Sequence, residues 1–128
     1  MAKIKSYTTV EQSRELAEIL PLESADVVWV YSAFEDDYFP HFLGFRKIVV
    51  GGKDIKAWSL AALLNYLREI DFFPEIEADE HGVTMSINYY DEEEARLLAP
   101  VHNIKVKAES FIDVCVAMIE KLHEQNIL

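Results

Sequence analysis

The stretch VTMSINY, residues 83–89, alternates strictly between apolar and polar side chains. Its apolar members share one face of an extended chain, and they are Val83, Met85, Ile87 and Tyr89. Such alternation is typical of an antiparallel strand with one buried and one solvated face. The turn residues from Asp79 to Gly82 precede it, so the sequence predicts a hairpin over residues 75–90. A shorter strand is predicted at 103–107.

Three segments outside this hairpin carry helix signals, namely a capping side chain followed by an apolar stripe at helical spacing. The predicted N-caps are Thr8 or Thr9, Ser59 and Ser110. The stripes are Val10, Leu16, Ala17 and Leu20; Leu60, Leu63, Leu64 and Leu67; and Phe111, Cys115, Met118 and Leu122. Pro21 is expected to close the first helix at Leu20, because proline disfavours helical geometry in the residue before it.

Two further segments complete the outline. Residues 26–34 are rich in β-branched and aromatic side chains, which fits a buried strand, although a short helix is an open alternative. Residues 45–58 have strand character on both sides of Gly51-Gly52, which predicts a second hairpin. Helices that pack mainly on one face of a hairpin-built antiparallel sheet make a single α+β domain over residues 1–128.

The composition restricts the classes of function. The chain has 128 residues, of which 51% are apolar, and a net charge of −11 from 23 acidic and 12 basic residues. This balance disfavours direct attraction to nucleic acid or to an anionic membrane, and it favours basic partners. One cysteine excludes an internal disulfide. With no apolar signal segment or membrane-spanning run in the sequence, a cytoplasmic location is expected.

The segment AFEDDYFPH, residues 33–41, is the strongest candidate for chemistry, because three acids precede a histidine. Glu35, Asp36, Asp37 and His41 could contribute to a metal or acid–base site if their side chains converged with other ligands. Adjacent acids on an extended chain point in different directions, however. The competing interpretation is a solvated loop that ends at Pro40, with Tyr38 and Phe39 in the core.

No other catalytic constellation is evident. The four histidines are scattered, the glycines form no phosphate-binding loop, and no serine lies in a nucleophile-elbow motif. Cys115 lies on the apolar stripe of the last helix, where an inert buried thiol is expected. We therefore assign no catalytic residue and no cofactor from the sequence.

Two features favour binding to a partner. The predicted second hairpin carries four basic residues in an acidic chain: Arg46, Lys47, Lys53 and Lys56. The span 29–45 holds seven aromatic rings, and some of them, with Tyr38, Phe39 and Phe42 as candidates, could lie at an interface. A homodimer is the simplest way to cover such an aromatic patch.

Three pieces of the chain carry a resemblance: YTTVEQSRELAEILPLESADVVW (7–29), KAWSLAALLNYLREI (56–70) and SFIDVCVAMIEKLHEQNIL (110–128). Together they resemble a group of small uncharacterised proteins from gut Bacteroidetes genomes and their phages or other mobile elements. The group has no assigned activity, so the resemblance implies a shared fold and no functional residue.

The sequence thus predicts a non-catalytic protein-interaction or accessory protein of a phage or mobile element, with an unknown protein as its partner. One alternative is a small metal-dependent or acid–base hydrolase that uses the segment from Glu35 to His41. A second alternative is an acidic mimic of nucleic acid, which requires carboxylates along one continuous face.

Overall fold

The computed structural model describes residues 6–42, 53–70, 72–89 and 102–128. The elements in chain order are α1 (Val10–Leu16), a 3-10 turn (Leu22–Ser24), β1 (Val27–Ser32), β2 (Asp37–Phe42), β3 (Ile55–Ala57), α2 (Leu60–Glu69), β4 (Glu75–Asp79), β5 (Gly82–Tyr89), β6 (His102–Ala108) and α3 (Phe111–Glu124). The α+β class predicted from the sequence is confirmed.

The strands of the described residues form two antiparallel three-stranded sheets, where the sequence predicted one. The first sheet has the order β2-β1-β3 and the second has the order β4-β5-β6. Helix α3 packs on β5 and β6 of the second sheet and contacts α2, while α1 contacts both β3 and α3. Helix α1 therefore lies between the strands of the first sheet and the helix that covers the second.

The main core lies between the second sheet and the helices. The predicted alternation of β5 is confirmed, because Val83, Met85 and Ile87 are buried and Thr84, Ser86 and Asn88 are not. Helix α3 is buried on more of its circumference than a single stripe, and its buried members are Ile112, Val114, Cys115, Val116, Met118, Ile119 and Leu122. Phe111 was predicted to be buried but is 44% exposed, because the apolar contacts of α3 begin one residue later.

The three helices in the described part of the chain begin where their capping side chains predict. Thr9 and Gln12 form a reciprocal capping box at α1, and the hydroxyls of Ser59 and Ser110 accept N–H groups at the starts of α2 and α3. Helix α1 ends at Leu16, earlier than predicted, and Ala17 of its predicted stripe is exposed.

A buried hydrogen-bond network fixes the N-terminal segment to the start of α2. The Trp58 N–H donates to Thr8 Oγ1 at 3.1 Å, and the Thr8 N–H donates to the Trp58 carbonyl at 2.9 Å. The Thr8 hydroxyl lies 2.7 Å from Ser13 Oγ, which itself donates to the Thr9 carbonyl at 2.6 Å. The Thr8 hydroxyl therefore donates to Ser13 and accepts from Trp58, so both of its roles are satisfied inside the protein.

A carboxylate ties β1 to the same helix start. Asp26 accepts the Ser59 N–H at 2.8 Å through one oxygen and the Ser59 hydroxyl through the other. The fully buried indole of Trp58 donates to Ser24 Oγ at 2.9 Å. These contacts hold the beginning of β1 against the start of α2 and so position the first sheet.

The structure decides two of the open sequence interpretations. Residues 27–32 form a strand, so the helical alternative for 26–34 is wrong. The solvated loop predicted within 33–41 and ending at Pro40 is also wrong in its second half, because Asp37–Phe42 is a strand paired with β1. The first half of the hairpin predicted over 45–58, with Gly51-Gly52, lies outside the described residues, and β3 pairs with β1.

Candidate binding surface on the first sheet

The register of β1 and β2 brings most of their aromatic side chains onto one face. Val27 lies opposite Phe42, Trp29 opposite Pro40, and Tyr31 opposite Tyr38. Since side chains alternate across a strand, these three pairs share a face. The other face carries the pairs of Val28 with His41, Val30 with Phe39, and Ser32 with Asp37.

The hydrogen bonds show that the aromatic pairs are the closely spaced ones. The Tyr31 N–H donates to Asp54 Oδ1 at 2.9 Å, beside β3, and the Tyr38 N–H donates to Asp37 Oδ1 at 2.8 Å. Neither N–H is therefore used in the ladder between β1 and β2. The pair of Tyr31 with Tyr38 is consequently a non-hydrogen-bonded pair, in which opposing side chains approach most closely.

Edge-to-face contacts pack the rings of this face against one another. The ring centroids of Tyr31 and Tyr38 are 5.4 Å apart. Tyr7 lies 5.5 Å from Trp29 and 6.0 Å from Phe42, with interplanar angles of 74° and 81°. We call these five residues, Tyr7, Trp29, Tyr31, Tyr38 and Phe42, the aromatic surface.

The aromatic surface is linked to the buried network of the fold and is still accessible. The Trp29 indole donates to the Thr8 carbonyl at 3.0 Å, which links the sheet to the buried network around Thr8. Phe42 is 59% exposed, and the other four rings are half-buried. These rings lie outside the main core, so they present apolar area to solvent from a fixed scaffold.

Charged groups lie at the Tyr31 end of the aromatic surface. Lys53 Nζ lies 4.6 Å from the centroid of the Tyr31 ring, which is cation–π geometry. The Tyr31 hydroxyl donates to the Asp36 carboxylate. This hydrogen bond, with smaller effects of desolvation and of the charge of Asp36, raises the pKa of Tyr31 above its ordinary value. The rings at this end thus already contact both a cation and an anion.

The structure does not bring the predicted acid–histidine set together. Glu35 and Asp36 lie in the turn between β1 and β2, where Asp36 has a φ of 50°, while Asp37 and His41 lie in β2. All four residues are exposed, and the carboxylates of Asp36 and Asp37 are engaged by Tyr31 and Tyr38. Within the described ranges, no three His, Cys, Asp or Glu side chains are grouped so that they could hold a metal ion.

Two of the four basic candidates, Lys53 and Lys56, lie within the described residues. Lys53 lies over Tyr31, and Lys56 is half-buried in β3 opposite Val28. Arg46 and Lys47 lie outside the described residues. Phe39, the remaining aromatic candidate, is 40% exposed and lies on the face of β2 opposite the aromatic surface. The interpretation that placed Tyr38 and Phe39 in the core is therefore wrong.

A second polar feature lies between α1 and α3, and the sequence analysis did not find it. Glu15, Glu18, Glu120, Glu124 and His123 line a shallow groove of about 340 Å³, together with Ile19. Partial burial raises the pKa of Glu120 to about 7, with further increases from a hydrogen bond with Glu15 and from the charges of Glu15 and Glu124. The groove is local to two helix ends and is not an extended row of carboxylates.

Cys115 and two of the other histidines, His81 and His102, have contacts that suit a structural role. Cys115 is fully buried in α3, and burial raises the pKa of its thiol to about 12. His102 stacks on Tyr89 with centroids 5.0 Å apart, and His81 lies in the turn between β4 and β5, with Nε2 3.5 Å from Glu80. All three residues lie outside the first sheet, which carries most of the aromatic surface.

Tyr7 is the member of the aromatic surface that sequence reasoning missed. It reaches the sheet through an isolated bridge with Ser59, and no local pattern signals such a contact.

No protein-family model, curated protein or solved structure matches this chain. In the part of the chain that the structure describes, no helix has the length and apolar character needed to cross a bilayer.

Proposed function

We propose that this chain is a non-catalytic protein-interaction protein that binds its partner through the aromatic surface. The observation that carries the proposal is the set of five packed rings, fixed on β1 and β2 and at residue 7, with Phe42 59% exposed. Aromatic side chains are enriched at the centres of protein interfaces, because they bury a large area while losing little conformational freedom.

The side-chain face of the sheet supports binding better than the edge of β2 does. Pro40 has no N–H, and the N–H of Tyr38 is used by Asp37. Both nitrogens lie on the side of β2 that faces away from β1, so an added strand would find few donors there. The partner is therefore expected to lie across the rings.

The acids beside the rings favour basic side chains on the partner. Glu35, Asp36 and Asp37 are exposed at the hairpin turn, and the ring of Tyr31 already accommodates the ammonium of Lys53. A partner that presents arginine or lysine could use both the ring faces and the carboxylates. The net charge of −11 would assist the approach of such a partner.

The resemblance of the three sequence pieces supports an accessory role in a phage or another mobile element. A cytoplasmic setting belongs to the same proposal, since a single buried thiol suits a reducing compartment. The hydrolase alternative gains no support from the described residues, because Glu35, Asp36, Asp37 and His41 do not converge.

Affinity purification with matched variants tests the proposal. Tagged wild-type protein, Phe42→Ser and Phe73→Ser would be expressed in the cell that naturally contains the chain. Phe73 is a suitable control because it is 69% exposed and lies in the segment before β4, outside the first sheet. We expect Phe42→Ser to lower capture of the partner about tenfold or more, as for an interface hot spot, and Phe73→Ser to preserve it.

Thermal unfolding of both variants separates lost binding from lost folding. Each variant replaces an exposed ring, so both should keep a Tm close to that of the wild type. Equal capture by all three folded proteins would reject the aromatic surface as the binding site.

A further inference from the structure

The open face of the second sheet carries its charges in two separate columns. One cross-strand row consists of Glu75, Ser86 and Lys105, and the next consists of Glu77, Thr84 and Lys107. The carboxylates therefore lie on β4, the ammonium groups lie on β6, and small hydroxyl side chains lie between them on β5.

These charged side chains have no partner within the described part of the chain. The two glutamates and the two lysines are exposed, while Ser86 and Thr84 are half-buried. Two strand spacings separate the columns by roughly 10 Å. The opposite face of the same sheet is covered by α3, so this face is the one available to another molecule.

We propose that this face binds a second copy of the chain through a two-fold axis parallel to the strands. Such an axis places β4 of each copy over β6 of the other, since it exchanges the two sides of the sheet and keeps position along the strands. Glu75 of each copy then faces Lys105 of the other, and Glu77 faces Lys107. The arrangement is self-complementary, as a two-fold interface must be.

The charges discriminate between the two axes that could relate face-to-face sheets. An axis perpendicular to the strands would place β4 over β4 and bring the carboxylates of both copies together. The axis parallel to the strands replaces this repulsion with two pairs of opposite charge in each half of the interface. The hydroxyls of Ser86 and Thr84 are small enough for the sheets to approach to about 10 Å.

The size of the face predicts a weak dimer. Three strands and about seven residues of length cover an area at the low end for specific interfaces, and exposed ion pairs contribute little each. Glu109 follows β6 and continues the alternation of Lys105 and Lys107, so it would lie near Asp79 of the other copy. Association should therefore be salt-sensitive and should strengthen in Glu109→Lys.

The proposal is independent of the aromatic surface, which lies on the other sheet. Two charge-reversal variants test it by sedimentation equilibrium. Glu75→Lys with Glu77→Lys makes both columns basic, and Lys105→Glu with Lys107→Glu makes both columns acidic. Glu11→Lys with Glu69→Lys gives the same change in net charge as the first variant at two exposed helical positions.

We expect the wild type and the helical control to dimerise at concentrations of roughly 0.1–1 mM in low salt and to dissociate in about 0.5 M salt. The basic-face and acidic-face variants should each be monomeric, and their equimolar mixture should form a heterodimer. The combination of all four reversals should dimerise by itself, because it restores self-complementarity.

Three results would overturn the proposal. They are a wild type that stays monomeric over that concentration range, reversal variants that dimerise as the wild type does, and a mixture of the two variants that remains monomeric. Circular dichroism and Tm values of every variant establish that a monomeric result is not caused by unfolding.

Discussion

Tyr38 donates its backbone N–H to the carboxylate of the preceding Asp37, with an N···O distance of 2.8 Å, on the side of β2 that faces away from β1. Two residues further on, Pro40 has no N–H to offer on that side. Within three residues, two backbone positions on the outer edge of β2 therefore have no N–H free to pair with another strand. Natural sheets use such devices to prevent unwanted strand pairing, which lets this chain expose aromatic rings beside an edge strand.

Replacement of Pro40 by valine should make the protein more prone to aggregate. Valine restores an outward N–H and raises the β-propensity of an exposed strand, so pairing between copies becomes easier. The expected result is a shorter lag time in thioflavin fluorescence than for the wild type. Ser32→Val is the matched control, because it introduces the same side chain on β1, the central strand of the same sheet. Equal lag times for the two variants would argue against edge protection by Pro40.

Thr8→Val should destabilise the fold although the two side chains are nearly the same size. The substitution removes the acceptor for the Trp58 N–H at a fully buried position. An unsatisfied buried donor costs about 2 kcal/mol, so the free energy of unfolding in urea should fall by about that amount. Thr84→Val serves as the control in dilute protein, since its hydroxyl lies on the open face. A loss below about 0.5 kcal/mol would mean that the network around Thr8 contributes little.

The parts of the fold that the sequence predicts are those that local chemistry determines. Each helix begins at a predicted cap because the hydrogen bond joins residues three apart in the chain, as between Thr9 and Gln12. The alternation of β5 is equally local. The boundary of α1 was less predictable, because the chain between Leu16 and Pro21 continues in turns that local patterns do not distinguish from helix.

The features that the sequence analysis missed depend either on contacts between distant residues or on residue types that are more common in loops than in strands. Strand β2 was predicted as a loop because it contains acids and a proline. An edge strand nevertheless tolerates proline where its nitrogen faces outward. The division into two sheets follows from the pairing of β1 with β3, more than twenty residues away. Tyr7 reaches the aromatic surface, and Glu15 reaches Glu120, only through tertiary packing.

The stability of the protein should depend on pH through Glu120. Its pKa in the folded state is about 7, above the ordinary value of 4.5, so folding favours the protonated carboxyl. The resulting stabilisation is fully present below pH 4.5 and is lost as the pH rises through 7. Because Glu120 is only partly buried, solvent screening limits the effect to about 1 kcal/mol.

Glu120→Gln tests this dependence. Glutamine keeps a neutral hydrogen-bond donor beside Glu15, so the variant should match the wild type near pH 4.5 and exceed its free energy of unfolding above pH 7. Glu11→Gln, an exposed substitution in the first turn of α1, should show no such gain. Parallel curves for the wild type and Glu120→Gln over this pH range would contradict the assignment.

The thiol of Cys115 should be unreactive in the folded protein. Its side chain is fully buried, and a pKa of about 12 leaves almost no thiolate at neutral pH. We expect no reaction with a thiol-specific disulfide reagent in native buffer and full reaction in urea. Rapid modification of the native protein would show that α3 opens readily and that the thiol is accessible.

Site-specific photo-crosslinking tests the central claim, binding through the aromatic surface, most directly. A photoreactive phenylalanine analogue would replace Phe42 or, in the control, the similarly exposed Phe73, in the cell that naturally contains the chain. The account predicts one discrete adduct with another protein from position 42 and none from position 73. No adduct from position 42, or the same adduct from both positions, would contradict it.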